Sequence, residues 1–167
     1  MTISLTETIV KQYLAGLEML ERAIDLCPES QWYSTEYTNR FWHIAYHALF
    51  YTHLYLHPSE AEVIQWTKHW PNYNFLGPLP APPFEKPKIE TPYEKEELLE
   101  FLEICRSEVP AKVSALDFEA QSGFVWVPLN KLEHQLCSIR HLQHHTGQLV
   151  DRLRNAAGIG VPWVGTA

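Results

Sequence analysis

Three histidines lie within five residues in the stretch CSIRHLQHHTGQLVDRLR, residues 137–154. On a helix, His141 and His145 are four residues apart, so both imidazoles project from one face at a spacing that allows them to bind one metal ion. His144 points roughly 60° away from that line. Two imidazoles alone hold a divalent ion weakly, because a catalytic zinc-type site needs about three protein ligands and one open position. The sequence therefore predicts that a third ligand comes from another segment.

A second histidine-rich stretch, RFWHIAYHALFYTHLYL, supplies the candidates for this third ligand. His47 is the best candidate, because this is the only other histidine-rich stretch with helical periodicity. His43 precedes it by four residues, and a shell of four imidazoles would be closed, with no reactive position. The neighbouring aromatic residues do not decide which of the two faces the other helices, so His43 stays open as a fourth ligand or a supporting residue. Imidazoles without a carboxylate favour zinc, nickel, copper or iron over magnesium or calcium.

Other residues near these histidines carry weaker expectations. Gln148 lies on or near the face of His145 and could hydrogen-bond a ligand or a substrate. Gly147 removes a side chain from a helix interior at a cost of about 1 kcal/mol, which predicts close helix packing there. The remaining histidines are expected at polar surface or loop positions, although His53 could face the same cavity as His47: His53, His57, His69, His134 and His144.

The three cysteines, Cys27, Cys105 and Cys137, are too few and too far apart for a disulfide framework or a zinc motif. We expect reduced thiols. Cys137 precedes His141 by four residues and could approach a metal ion, but a buried thiol that fills space is the commoner outcome.

Hydrophobic periodicity and capping patterns predict four helices. They are expected to run from the Ser4-x-x-Glu7 capping pattern to Pro28, from about Asn39 to His57, from the capping segment Thr91–Glu94 onward, and from about Asn130 to Ala157. In the third helix, Thr91 is predicted as the N-cap and Pro92 as the first helical residue. Pro110 should kink or interrupt the third helix, with a second part continuing through Leu116. Gly158 is placed to end the fourth helix.

Residues 58–92, called here the proline-rich segment, break this pattern. Their prolines forbid a continuous helix, while their aromatic side chains are too apolar for a free linker. We expect a long ordered loop with a short helix at residues 59–68, folded over one end of the helices. A functional lid and a contact surface for a dimer are both compatible with such a loop.

Composition bounds the class of protein. The chain has 167 residues, of which 46% are hydrophobic, enough for a single domain over residues 1–167. We predict an all-α four-helix bundle with a long proline- and aromatic-rich insertion between helices two and three. A net charge of −7 with scattered cations argues against nucleic acid as a partner. Neither a leader pattern nor an apolar run of about 20 residues is present, so we predict a cytoplasmic protein that does not partner a membrane.

The stretch HLQHHTGQL, together with HALFYTHLYL in the second predicted helix, resembles the DinB-like metal-binding four-helix-bundle superfamily. That superfamily includes YfiT-like proteins and thiol-dependent transferases. The resemblance implies that His47, His141 and His145 hold a divalent cation, commonly zinc or nickel, and leave part of its coordination open. It also implies transfer of a low-molecular-weight thiol to a small electrophilic substrate. The proline-rich segment and the extra histidines His43 and His53 depart from the family pattern. The resemblance therefore predicts the ligand set but not the substrate pocket.

Three hypotheses follow from these patterns. The first is a metal-dependent enzyme, a thiol transferase or a hydrolase. The second is a non-catalytic stress-response or protein-interaction protein, in which the ion staples helix two to helix four. The third is a structural dimerisation module with incidental histidines. A homodimer is expected in each case, because the tryptophans of the proline-rich segment and the tail GIGVPWVG offer exposed apolar surface.

Overall fold

The structure is a computed structural model that describes residues 4–167; residues 1–3, part of the stretch used for the localisation prediction, lie outside the described residues. It contains five α-helices: α1 (Leu5–Leu26), α2 (Glu29–Trp32), α3 (Phe41–Tyr55), α4 (Lys95–Ser114) and α5 (Lys131–Ala157). Within residues 4–167 no β-strand is present beyond one isolated bridge, so the all-α class is confirmed. None of the helices in this range is both long and apolar enough to cross a membrane.

All four long helices contribute residues to the larger of two clusters of buried apolar side chains found among the described residues. α1 contacts α4 and α5, and α3 also contacts α4 and α5. The largest contact is between α3 and α5, the two helices that carry the candidate ligands. α3 is apolar on nearly every face and has buried residues all around it, as its aromatic content predicts. Side chains of α3 are therefore held by packing from several directions.

Local capping chemistry sets the ends of α1 and α5 near the predicted positions. Ser4 Oγ accepts a hydrogen bond from the Glu7 amide at 3.3 Å, which caps the first turn of α1. At α5, Asn130 and Glu133 form a reciprocal capping box. α5 ends at Gly158, whose φ of 69° lies in the left-handed region that glycine adopts without strain.

The predicted start of the third long helix at Thr91 and Pro92 is wrong. α4 begins at Lys95, because Glu94 is its N-cap and forms a capping box with Glu97. The preceding residue, Tyr93, is buried and donates its hydroxyl hydrogen to the Lys68 carbonyl at 2.6 Å, so it is anchored outside the helix.

Of the two outcomes predicted at Pro110, an interruption is wrong, since α4 continues through it to Ser114 and stops before Leu116, and a kink stays a prediction. A proline costs a helix its own backbone hydrogen bond and adds steric strain. Val109 and Val113 on either side of Pro110 are fully buried, and their packing holds the helix together.

The short helix predicted at residues 59–68 is reduced to a single 3-10 turn, Glu60–Glu62. The reason is the side chain of Trp66, which is buried and stacks on Phe101 of α4 with ring centroids 4.4 Å apart. Tyr73 further along is buried as well, so the proline-rich segment lies against the helices. Large apolar side chains also remain exposed, Trp163 at 73% among them, and the homodimer stays a prediction.

Close packing of α5 occurs at Gly16 of α1 and not at Gly147, where the sequence predicted it. A Cβ atom at Gly16 would lie 2.9 Å from Leu142 Cδ2 and 3.1 Å from Gln143 Nε2. A Cβ atom at Gly147 would meet nothing within 4 Å. The missing side chain at Gly16 therefore sets the distance between α1 and α5.

We expect the substitution Gly16→Ala to lower the free energy of unfolding by about 1 kcal/mol, because Leu142 is fully buried and has little room to move. The matched change Gly147→Ala should raise it by about 0.5–1 kcal/mol, since alanine is the better helix former and nothing obstructs it. Urea denaturation of both variants measures the difference. Equal stability of the two variants would contradict the close contact at Gly16.

Candidate metal centre

The structure brings together the three histidines that the sequence singled out. His47 comes from α3, and His141 and His145 come from successive turns of α5. The Nε2 atom of His141 lies 3.0 Å from that of His47 and 3.1 Å from that of His145. One nitrogen from each ring lies within 4.8 Å of the other two, and this is the one cluster of potential metal ligands found within residues 4–167.

The two spacings that involve His141 suit a shared ion. Zn–N bonds of about 2.0–2.1 Å place two imidazole nitrogens about 2.9 Å apart at a right angle and about 3.4 Å apart at a tetrahedral angle. The observed 3.0 and 3.1 Å lie between these limits. Three histidines on one side of an ion would leave its other side free. This arrangement is typical of a reactive site and not of a closed structural one.

Hydrogen bonds behind the cluster fix which nitrogen faces its centre. His47 Nδ1 lies 2.6 Å from the carbonyl oxygen of Asn74, and a carbonyl only accepts, so the ring hydrogen is on Nδ1. His145 Nδ1 lies 2.8 Å from Gln148 Oε1, which fixes that ring in the same way. Both Nε2 atoms therefore present lone pairs toward His141, which can donate at most one hydrogen to them. A cation at this point satisfies all three nitrogens, whereas hydrogen bonds among them do not.

Burial keeps these rings neutral at neutral pH. It lowers the pKa of His47 to about 3 and that of His141 to about 4, with smaller contributions from the neighbouring histidines. The pKa of His145 is lowered by burial too, partly offset by its hydrogen bond to Gln148. A metal ion requires neutral imidazole, so the rings are in the binding form without losing a proton.

His43, which the sequence left open as a fourth ligand, lies outside the cluster. Its Nε2 atom is 2.7 Å from the carbonyl oxygen of Tyr73 and donates to it. His43 and His47, one turn apart on α3, thus bind the carbonyls of two consecutive residues, Tyr73 and Asn74. His43 holds the proline-rich segment in place, and His47 lies between that segment and α5.

Tyr51 borders the cluster on α3, one turn after His47. Its ring lies 4.8 Å from that of His47 and 5.3 Å from that of His141, edge-on to both. Its oxygen accepts a hydrogen bond from Asn74 Nδ2 at 3.2 Å. Tyr51 and Asn74 also line a cavity of about 720 Å³. The sequence singled out neither residue, and it had no signal for Asn74, because the contact to His47 is made by a backbone carbonyl.

The prediction of surface or loop positions is wrong for His53 and His134, which are buried residues of α3 and α5. His57 lies in the loop after α3, as predicted, but it is buried as well. The high aromatic content of α3 predicts burial on several sides, and this signal could have identified His53 as buried. His144 is exposed, as predicted, and His69 is a partly buried residue of the proline-rich segment.

The cysteines do not reach the histidine cluster. All three are free thiols; Cys27 and Cys105 are buried, and burial raises the pKa of Cys27 to about 12. Cys137 is half-buried and is not part of the ligand group that His141 joins. The cluster therefore consists of imidazoles alone.

The Gln148 side chain should matter for metal affinity although it does not face the centre of the cluster. We expect Gln148→Leu to weaken Zn²⁺ binding by about 10–100-fold, because His145 loses the hydrogen bond that fixes its ring. Isothermal titration with Zn²⁺ measures the change. Gln143→Leu, on the same helix but with its amide against Met19 Sδ, is the control and should bind normally. Equal affinity of the two variants would show that Gln148 does not orient the ligand.

Comparisons of the chain with protein-family models, with curated proteins and with solved structures found no match. The resemblance to the DinB-like superfamily therefore stays a prediction.

Proposed function

We propose that this chain is a DinB-like four-helix-bundle protein that binds one divalent metal ion, zinc or nickel, through His47, His141 and His145. The observation that carries the proposal is the convergence of three Nε2 atoms, two of which are fixed as lone-pair donors by hydrogen bonds on their far sides. Neutral imidazoles without a carboxylate favour such borderline metals.

We further propose an enzyme of the thiol S-transferase type that acts on a small electrophile. An ion held by three imidazoles lowers the pKa of a water or thiol that occupies its open position. The buried cysteines and the half-buried Cys137 lie outside the ligand group, so the transferred thiol would be a separate small molecule. The cavity lined by Tyr51 and Asn74, both of which contact His47, offers room for the electrophile. The resemblance of the histidine motifs supports the reaction type.

The second candidate function is a non-catalytic protein in which the ion acts as a staple. One observation favours it: the cluster joins α3 to α5 and, through the bond from His47 to Asn74, also contacts the proline-rich segment. An ion bound only by the folded chain would stabilise all three elements together. In this case the open coordination position of the ion would not take part in a reaction.

Metal content tests the ligand set. The purified protein is expected to carry about one zinc or nickel ion per chain, and His47→Ala, His141→Ala and His145→Ala should each lose it, because two imidazoles hold a divalent ion weakly. His144→Ala is the matched control, since that side chain is exposed on the same helix. Elemental analysis measures the content. Retention of metal by all three cluster variants, or equal loss in His144→Ala, would refute the ligand assignment.

Metal-dependent turnover separates the enzyme from the staple. We expect the metal-loaded protein to consume glutathione or cysteine in the presence of a small electrophile, and to lose this activity with a chelator and in His145→Ala. Thiol titration over time measures the reaction. If the ion raises the melting temperature but no thiol is consumed across a panel of thiols and electrophiles, the staple is the correct function.

A further inference from the structure

A cavity of about 720 Å³ lies beside the histidine cluster, within the range of sites that bind small molecules. One wall is α3, which contributes Phe50, Tyr51 and Leu54. The opposite walls come from the proline-rich segment and from Trp126 in the connection before α5. Tyr51 and Asn74 belong both to this cavity and to the surroundings of His47, so the two features adjoin.

The walls of the cavity are tied together by specific contacts. The Lys131 ammonium group is buried and donates to the Ser122 carbonyl at 2.6 Å and to the Pro58 carbonyl. This links the start of the proline-rich segment to the connection that carries Trp126. The backbones meet closely there, since a Cβ atom at Gly123 would collide with the Pro58 carbonyl oxygen. The two walls of the cavity opposite α3, the proline-rich segment and the connection before α5, are therefore joined to each other.

Trp126 itself is held in position by a hydrogen bond. Its indole Nε1 donates to the Tyr55 hydroxyl oxygen at 3.3 Å, while half of the side chain stays exposed. A half-exposed tryptophan that is tethered at one end offers a fixed apolar face at the edge of the cavity.

The lining selects an uncharged ligand with a flat ring. Four aromatic side chains contribute to it: Phe50, Tyr51, Phe75 and Trp126. Glu60 is the one charged lining residue, and no lysine, arginine or histidine is among the residues that line the cavity. An anionic ligand would lose its hydration without gaining a cation. Flat rings gain from contact with aromatic faces.

Tyr51 supplies a directed polar contact inside this apolar space. Its oxygen accepts from the Asn74 amide, so its hydroxyl hydrogen is left to donate to a ligand. A tyrosine hydroxyl keeps its hydrogen at neutral pH. Because the ring also touches those of His47 and His141, an acceptor bound to this hydroxyl would lie next to the histidines.

We propose that this cavity binds an uncharged, ring-containing small molecule with a carbonyl or similar acceptor group, which Tyr51 binds through its hydroxyl hydrogen. In the proposed enzyme this molecule is the electrophilic substrate, and that assignment rests on the proposed function. Binding itself does not need the metal ion, so the two proposals fail separately.

The experiment uses two fluorescent naphthalene probes, prodan and anilinonaphthalenesulfonate. Prodan is uncharged and has a ketone oxygen, whereas the second probe is anionic. The full-length protein should bind prodan at least about tenfold more tightly than the anionic probe, a difference of about 1.4 kcal/mol. Val63→Trp places a large side chain in the cavity and should weaken prodan binding at least about tenfold relative to the unsubstituted protein. Ile64→Trp, at the neighbouring position that is 75% exposed, is the matched control and should bind normally.

Tyr51→Phe tests the polar contact with the least disturbance, because it removes one oxygen atom. We expect about fivefold weaker prodan binding and an emission shift to the blue, since the ketone loses a hydrogen-bond donor. Unchanged affinity and emission would overturn the role of Tyr51. Equal prodan binding by Val63→Trp and Ile64→Trp, or equal binding of both probes, would overturn the cavity as the site.

Metal-free His145→Ala shows which proposal is at fault if one fails. This variant should still bind prodan, because His145 does not line the cavity. If neither the unsubstituted protein nor its variants bind metal but prodan still binds, the cavity proposal holds and the metal-site proposal is refuted. A protein that binds metal but not prodan gives the opposite result.

Discussion

The arrangement of the site depends on one hydrogen bond, from His47 Nδ1 to the carbonyl oxygen of Asn74. It places the ring hydrogen on the outer nitrogen and turns the lone pair of Nε2 toward α5. Gln148 does the same for His145 from its own helix. A rotation of either ring would break one of these bonds. The ligand geometry is thus prepared before an ion binds, which reduces the cost of binding it.

The proline-rich segment is part of the site because of how it is anchored. His43 binds the Tyr73 carbonyl next to the carbonyl that His47 uses. The Tyr73 hydroxyl accepts hydrogen bonds from the Glu90 and Thr91 amides, which connects the middle of the segment to its end. A change that detaches the segment would therefore release both the His47 ring and one wall of the cavity. The segment is a structural support for the candidate metal centre and not a covering alone.

Sequence reasoning reached the features that local spacing determines. The pair His141 and His145, the capping box at Asn130 and the all-helical class each follow from periodicity or capping over a few residues. The sequence favoured His47, with support from the family resemblance, but spacing left His43 open as a fourth ligand, because both project from α3 and contacts with distant residues separate them. Errors at Pro110 and Gly147 have the same origin. Each was judged from the cost of the residue in an isolated helix, whereas packing with other elements decides what happens there.

A second group of histidines in the same chain shows why the first one points to a ligand. His57 is buried, yet its Nδ1 atom donates to the His53 carbonyl at 2.9 Å and its Nε2 atom lies 2.7 Å from the Lys112 ammonium. Both nitrogens are satisfied, and a cation already occupies the position where a metal would bind. At the first cluster, the Nε2 atoms of His47 and His145 both lie within hydrogen-bond distance of His141 Nε2, which has at most one hydrogen to donate to them. One shared hydrogen satisfies two buried acceptors less well than a full hydrogen bond to each, and a bound cation would satisfy both. The difference lies in the hydrogen bonds around the rings, and it favours metal binding at His47, His141 and His145 over incidental burial.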